Sequence, residues 1–279
     1  MQGLKQLEAT PLGLPTGLEL EWLGVAGYRL TYEHTSILVD LYVSRVPLKS
    51  LLLRRPALPD EDVIARYIKP GPVAGILVGH THWDHAVDAP ALARRFDAPT
   101  YGSDSLAHLM RLHGRSSVVV EPRKRYELGP FVVSFTPSRH SKLLFGRRVP
   151  FDGALTCEDV HALSPGAYKC GAVYGIRIEV AGISLYHQGS ADVDDAELGR
   201  EPVDVFLAGI AGRHVSPRYW ERILPKLDPR VLVPTHYDDF FAPLGTPLKL
   251  VRKANIDSVP DEVHAVTRDA TVAALRRVD

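Results

Sequence analysis

The feature that most constrains this chain is a short apolar strand that ends in a packed set of cation ligands. Val73-Ala74-Gly75-Ile76-Leu77-Val78 runs through Gly79 into His80-Thr81-His82-Trp83-Asp84-His85. Four groups able to bind a metal, His80, His82, Asp84 and His85, fall within six residues, where the backbone must turn before a helix. A strand-to-helix loop of this form can aim His80 and His82 at one ion while Asp84 and His85 face a second, roughly 3.5–4 Å away as in two-metal hydrolases. A surface cluster of polar residues rarely has such dense ligand spacing. The chain's 12 histidines are its one informative excess, imidazole being a common ligand and a common general acid or base.

The remaining composition sets the frame. With 45% hydrophobic and 24% charged residues, the 279-residue chain is an ordinary globular protein, which excludes a disordered, fibrous or disulfide-rich class. No internal repeat, low-complexity stretch or long linker interrupts it, so a single domain over 1–279 is the simplest expectation. Lys plus Arg and Asp plus Glu both number 33. No overall field then steers the protein to nucleic acid or an anionic membrane, though a local basic patch stays open, and no nucleic-acid partner is expected. Met1 to Gly17 carry Lys5 and Glu8 and no continuous apolar run. Neither a signal peptide nor a membrane span is expected, and a cytoplasmic location follows as the expectation. Cys157 and Cys170 read as reduced thiols more than as a disulfide framework.

Along the chain, Glu19 to Asp40 reads as paired antiparallel strands around the turn glycines Gly24 and Gly27. Pro59-Asp60-Glu61-Asp62 opens a helix that Pro70 stops. Ala89 to Phe96 and Ser105 to His113 read as helices behind the histidine cluster. Further strands are expected at Phe131 to Phe135, Gly175 to Val180, Ile183 to Tyr186, Val203 to Leu207 and Val231 to Val233, with a helix at Pro217 to Leu224. The stretch from Arg147 to Lys169, rich in Gly and Pro without a clear period, is a candidate flap over a site.

The His80-x-His82-x-Asp84-His85 pattern resembles the signature of the metallo-β-lactamase superfamily, and the likeness continues in order along nearly the whole chain. The resemblance implies an α/β fold, a four-layered αββα sandwich of two mixed β-sheets. It also implies roles for other residues. Asp40, closing an apolar strand, matches the family's first acid, which orients the metal loop; a turn-forming Asp at a strand end is the plainer alternative. His140, in Pro137-Ser138-Arg139-His140-Ser141, sits where the family places a third ligand for the first metal. His236, in Val233-Pro234-Thr235-His236, matches the histidine that completes the second. Each of these positions lies where a strand gives out, so one edge of the two sheets would gather them all.

One element departs from the pattern. The family usually has Gly-Asp-Thr or Gly-Asp-Ser after a strand, its Asp bridging both metals; here Tyr186-His187-Gln188-Gly189-Ser190-Ala191-Asp192 puts Ser190 in that place. A neutral serine is a poor bridge, so either Asp192 swings in, which the reading favours, or the second metal binds weakly. His187 belongs either at the mouth of the site or packed on its strand. Arg213-His214, in a glycine-bearing loop after a core strand, offers His214 for substrate contact, a plain surface loop being as good a reading. Tyr237, Asp238, Phe240 and Phe241 line the pocket or join the core.

The resemblance therefore implies a metal-dependent hydrolase that uses a metal-bound hydroxide to cleave a lactone, ester or phosphodiester of a small molecule, with Asp84 both ligand and proton relay. Two divalent cations are implied; zinc fits the nitrogen-rich set best, and manganese or iron would also bind. Within the superfamily, the Arg-His-Ser motif and the altered fourth motif place the chain nearer to ascorbate-6-phosphate lactonase and the N-acylphosphatidylethanolamine phospholipase D-like proteins than to true β-lactamases. The alternative is a non-catalytic or redox metal-binding descendant of the fold, for which the altered bridging ligand is the one support. No Gly-x-Ser-x-Gly elbow or phosphate-binding Gly-x-x-x-x-Gly-Lys loop is present, which removes serine hydrolases and nucleotide kinases as rivals.

Overall fold

A computed structural model of the protein describes residues 2–144, 146–251 and 253–278. The apolar runs become two mixed sheets. The first holds β1 (Glu19–Trp22), β2 (Tyr28–Tyr32), β3 (Thr35–Val39), β4 (Val73–Leu77), β5 (Thr100–Gly102) and β6 (Val118–Val119), adjacent in that order. Its first three strands pair antiparallel and the rest run parallel to β3. The second holds β7 (Tyr126–Leu128), β8 (Phe131–Ser138), β9 (Val173–Val180), β10 (Ile183–Gln188), β11 (Val205–Gly209), β12 (Val231–Thr235) and β13 (Thr271–Val272). Here β7 to β10 are antiparallel, and β11, β12 and β13 run parallel to β10.

The helices are α1 (Gln2–Glu8), α2 (Leu48–Leu52), α3 (Glu61–Tyr67), α4 (Trp83–Ala86), α5 (Ala89–Phe96), α6 (Asp104–Leu112), α7 (Tyr219–Leu227) and α8 (Val259–His264). α3 starts where its cap demands, Asp60 Oδ1 accepting from the Val63 N–H at 3.1 Å. The layers follow from strand alternation. Ile37 and Val39 of β3 face the second sheet and pack with Phe131, Phe135 and Ile176. Leu38 between them faces the other way, into a cluster with Ile64, Leu92, Leu106 and Met110 of α3, α5 and α6. In β4 the alternation repeats, Leu77 facing one side and Ile76 and Val78 the other. Each such side chain, fully buried, contributes roughly 1.5–3 kcal/mol. Trp220, Ile223, Leu224 and Leu227 of α7 close the far side of the second sheet, giving the αββα sandwich.

The strands and the four principal helices expected from sequence are present, with α7 beginning at Tyr219 rather than Pro217 and β11 at Val205 rather than Val203. The short elements α1, α2, α8, β5, β6, β7 and β13 carry too few residues for a periodic signal. Cys157 and Cys170 are free thiols.

Candidate metal centre

The C-terminal ends of β3, β4, β8, β10 and β12 deliver Asp40, the His80 to His85 loop, His140, Gly189-Ser190 and His236 to one edge of the sandwich. Their donor atoms group into two triads, His80 with His82 and His140, and Asp84 with His85 and His236, each within 4.8 Å. A third overlapping group, Asp40 with His80 and His85, joins them. All four members of the sequence cluster are buried.

In the first triad, His80 Nε2 and His82 Nδ1 face each other at 3.1 Å. The other nitrogen of His82 donates to the Pro150 carbonyl at 2.8 Å, and His140 Nδ1 donates to its neighbour Ser141's carbonyl at 2.8 Å. These bonds leave His82 Nδ1 and His140 Nε2 as lone-pair donors. Burial keeps the imidazoles neutral, as ligands must be. It pushes His80 well below the ordinary value, and with the neighbouring histidines takes His82 to about 4 and His140 to about 3.

The second triad is held from the core. Asp40 Oδ1 accepts from the Gly79 N–H at 2.7 Å, while Oδ2 accepts from His85 Nδ1 at 2.9 Å and from His187 Nε2 at 3.0 Å. His85 Nε2 is thereby aimed inward, buried and without a hydrogen-bond partner among the described residues. Burial pushes Asp40 and Asp84 up, but the facing histidines outweigh it and hold both carboxyls below their usual range. His85 moves the opposite way, Asp40 and Asp84 raising it against burial. The pocket thus favours a positive charge on His85 Nε2, whether proton or cation. His236 Nε2 lies 3.2 Å from Asp84 Oδ2, and His85 Nε2 3.9 Å from the same oxygen. The neutral imidazoles, the orphaned Nε2 and the charge preference together fit divalent cations at both triads.

Local backbone makes this placement. Asp40 and His236 both adopt left-handed conformations, φ 44° and 59°, which few residues other than glycine accept and which Asp and His tolerate best. His236 is held there by its N–H donating to the Val25 carbonyl at 2.8 Å, a carbonyl that Thr235 Oγ1 also reaches at 2.6 Å. At Gly189 a Cβ would come 2.7 Å from Asp40 Oδ2, so only glycine lets β10 end this close to the acid.

The triads open onto a cavity of about 260 Å³ walled by Trp83, Leu143, Phe151, Phe240 and Val251, with Ser141, Ser190 and His214 as polar members. His214 thus lies where substrate contact was expected, while Arg213 is committed to Glu262 at 2.7 Å and to backbone carbonyls. His187 is fully buried against Asp40, the packed alternative. Ser190 lies at the cavity with its Oγ accepting from the Ser141 N–H at 3.0 Å. Asp192 corrects the sequence expectation: its Oδ1 accepts from Arg222 at 2.8 Å and from the Val193 N–H, in a neighbouring cavity, and it joins neither triad. The salt bridge and the turn of the chain after Ser190 hold the carboxylate off the metal edge. Phe240 lines the cavity, and Asp238 instead forms a buried ion pair with Arg45 at 2.8 Å.

Sequence reasoning missed Asp88, a buried carboxyl whose Oδ2 takes the Val43 N–H at 2.6 Å and the Ser44 N–H at 3.0 Å, tying the loop after β3 to the start of α5. Burial pushes it up to about 6. It also missed Trp83 Nε1 and Ser141 Oγ, buried groups of cavity residues with no hydrogen-bond partner among the described residues. Pro150 and Phe151 belong to the stretch singled out as a flap; Phe151 packs edge-on against Trp83 at 5.6 Å.

The chain is similar to known proteins in sequence and in fold. The family described as the β-lactamase superfamily domain matches residues 19–236, a span that runs from β1 to the last ligand. A protein of Carboxydothermus hydrogenoformans named a metal-dependent hydrolase is 28% identical over 228 residues, covering 79% of this chain and 85% of its own length. Igni18, described as a metallo hydrolase of Ignicoccus hospitalis, has a similar fold, with a TM-score of 0.59 at 18% identity over 94% of this chain and 96% of that one. CmlA, a diiron β-hydroxylase of Streptomyces venezuelae, has a TM-score of 0.61 at 16% identity, covering 95% of this chain and 54% of its own.

Proposed function

The chain belongs to the β-lactamase superfamily, and from that premise we propose that it is a metal-dependent hydrolase that binds two divalent cations, zinc fitting best, and cleaves a lactone, ester or phosphodiester of a small molecule. The observation that carries this reading is the pair of triads facing one cavity, with His82 and His140 of the first and His85 of the second each bonded at the opposite ring nitrogen. The relatives named as metal-dependent hydrolases support it. So does Arg139-His140-Ser141 for a place near the lactonase branch. The cations would polarise the scissile carbonyl or phosphoryl oxygen and acidify a bound water.

The chain's own residues do the rest. Trp83, Phe151 and Phe240 exclude water and take the apolar part of the substrate. Trp83 Nε1, Ser141 Oγ and His214 supply hydrogen bonds that orient it. Asp84, kept ionised by His85 and His236, accepts a proton and returns it to the leaving group. With Ser190 where a bridging carboxylate is usual, Asp84 is the only acid in the two triads, so whichever cation enters second meets the charge of the one already bound with a single carboxylate to offset it, and the second step is the weaker.

Metal titration followed by mass spectrometry, with an assay on a γ-lactone, an aryl ester and an aryl phosphodiester, tests this. Wild type should take up two cations in separable steps and hydrolyse at least one substrate. Ser190→Asp should tighten the second step roughly tenfold, worth about 1.4 kcal/mol. Metal uptake with no hydrolysis across the panel would instead favour a non-catalytic or redox metal protein, the reading that the neutral Ser190 supports.

A further inference from the structure

His236 differs from three of the other ligand histidines in how its ring is held. His82, His140 and His85 are each bonded at the ring nitrogen that faces away from the site. His236 Nδ1 is buried and has no hydrogen-bond partner among the described residues, although Nε2 stands 3.2 Å from Asp84 Oδ2. With no acceptor fixing the ring itself, the aim of His236 comes from its backbone.

That backbone is clamped by one residue, Val25, in the turn between β1 and β2. The Val25 carbonyl accepts from the His236 N–H at 2.8 Å, from Thr235 Oγ1 at 2.6 Å and from Trp22 Nε1 at 3.0 Å, three donors on an oxygen with two lone pairs. The Val25 N–H donates to Asp238 Oδ1 at 2.7 Å. The ligand and the acid two residues beyond it thus hold opposite ends of the same residue. Val25 is fully buried with φ 51°, a left-handed backbone that a β-branched residue adopts only where its surroundings impose it.

The acid is anchored in turn. Asp238 Oδ2 accepts from Arg45 Nη2 at 2.8 Å, and Arg45 also donates to the Asp239 and Leu23 carbonyls at 3.2 and 3.4 Å. Both charges are buried, and the guanidinium lies across Gly24, where any Cβ would collide with it. A buried ion pair is weak evidence for stability, since apolar residues of like size often serve as well, so this one calls for another role.

We infer that Asp238 is a positioning residue for the Asp84-His85-His236 triad. By holding the Val25 N–H it keeps the Val25 carbonyl on the His236 N–H and so aims His236 Nε2 beside Asp84, while Arg45 fixes the carboxylate. The inference rests on reading that triad as a cation site.

Calorimetric titration with zinc in a His140→Ala background, which breaks the first triad, reads the second alone. Amide hydrogen exchange followed by NMR in the metal-free protein reads the clamp without any cation. In wild type the His236 N–H should exchange as slowly as the amides of β12. Asp238→Asn keeps an oxygen for the Val25 N–H and should hold zinc affinity within about threefold. Arg45→Met with Asp238→Leu leaves no lone ion buried, so the fold survives, as far-UV circular dichroism verifies, but the Val25 N–H loses its acceptor. Zinc affinity should then fall at least about tenfold, and the His236 N–H should exchange at least about tenfold faster relative to the β12 amides. A fast His236 N–H in wild type, or a double variant with affinity and exchange unchanged, overturns the inference. So does an equal loss of affinity in Asp238→Asn, which would assign the effect to charge and not to the Val25 bond. No zinc uptake by the His140→Ala protein would instead overturn the reading of the triad as a cation site, with amide exchange still deciding whether Asp238 clamps His236.

Discussion

The His80-His82-His140 triad and the Asp84-His85-His236 triad share one cavity but lean on different parts of the chain. The first is fastened from the loop side: His82 bonds to the Pro150 carbonyl and His140 to that of Ser141, both in segments beside the opening. The second is fastened from the core, His85 through the fully buried Asp40 and His236 through the Val25 carbonyl at the β1–β2 turn. Carbonyl partners on a covering loop yield when the loop moves, whereas a carboxylate shared by two buried histidines does not. A cation held by the first triad would therefore be coupled to the covering loop, and one held by the second to the integrity of the sandwich.

Asp40→Asn should give the largest effect and break this comparison most sharply. Asparagine keeps the shape and tolerates the left-handed φ of 44°, so the backbone stays. Its amide, however, can donate to His85 Nδ1, which moves that ring's proton to Nε2 and blocks the ligand. Affinity at the second triad should fall 10–100-fold while the first is unchanged. Two-step calorimetric metal titration reads both. Equal losses at the two sites would show that Asp40 supports the whole edge and that the division into loop-held and core-held triads is wrong.

Phe151→Ala should give a smaller effect at the other triad. Phe151 packs against Trp83, lies 6.4 Å from the His82 ring, and its carbonyl accepts from Cys170, so it keeps Pro150 over His82. Without the ring, affinity at the first triad should drop up to about tenfold with the second within twofold. The same titration checks it, and a drop confined to the second triad would reverse the assignment of which site the loop controls.

The sequence made the triads legible because all six of their members follow apolar strands or sit in one dense motif, and strand ends are where an α/β sandwich concentrates its side chains. Asp40 was legible by the same logic. What it did not carry is which group satisfies which. Asp88 looks like an ordinary helix-start acid, and only the packed structure shows it buried and holding Val43 and Ser44. The Pro150 carbonyl has no residue-type signature at all, since backbone acceptors are identical along a chain.

Asp192 is the instructive failure, and its substitution should give the smallest effect. Two residues beyond Ser190, it was the nearest acid to the bridging position, and proximity in sequence made it the favoured substitute. After Gln188 the chain leaves β10, and by Asp192 it has turned toward α7, where Arg222 takes Oδ1 at 2.8 Å and also binds Asp195 at 2.7 Å. To reach the cations Asp192 would have to give up both that ion pair and the Val193 N–H. Asp192→Ala should accordingly leave both metal steps within twofold of wild type and cost only about 1 kcal/mol of stability, since Arg222 keeps Asp195 and the Val193 carbonyl as partners. Mass spectrometry of the metal-loaded variant and a urea melt read the two quantities separately. Loss of one cation with stability unchanged would mean that Asp192 leaves Arg222 when metal binds, and the core-held triad would then have a fourth, loop-borne ligand after all.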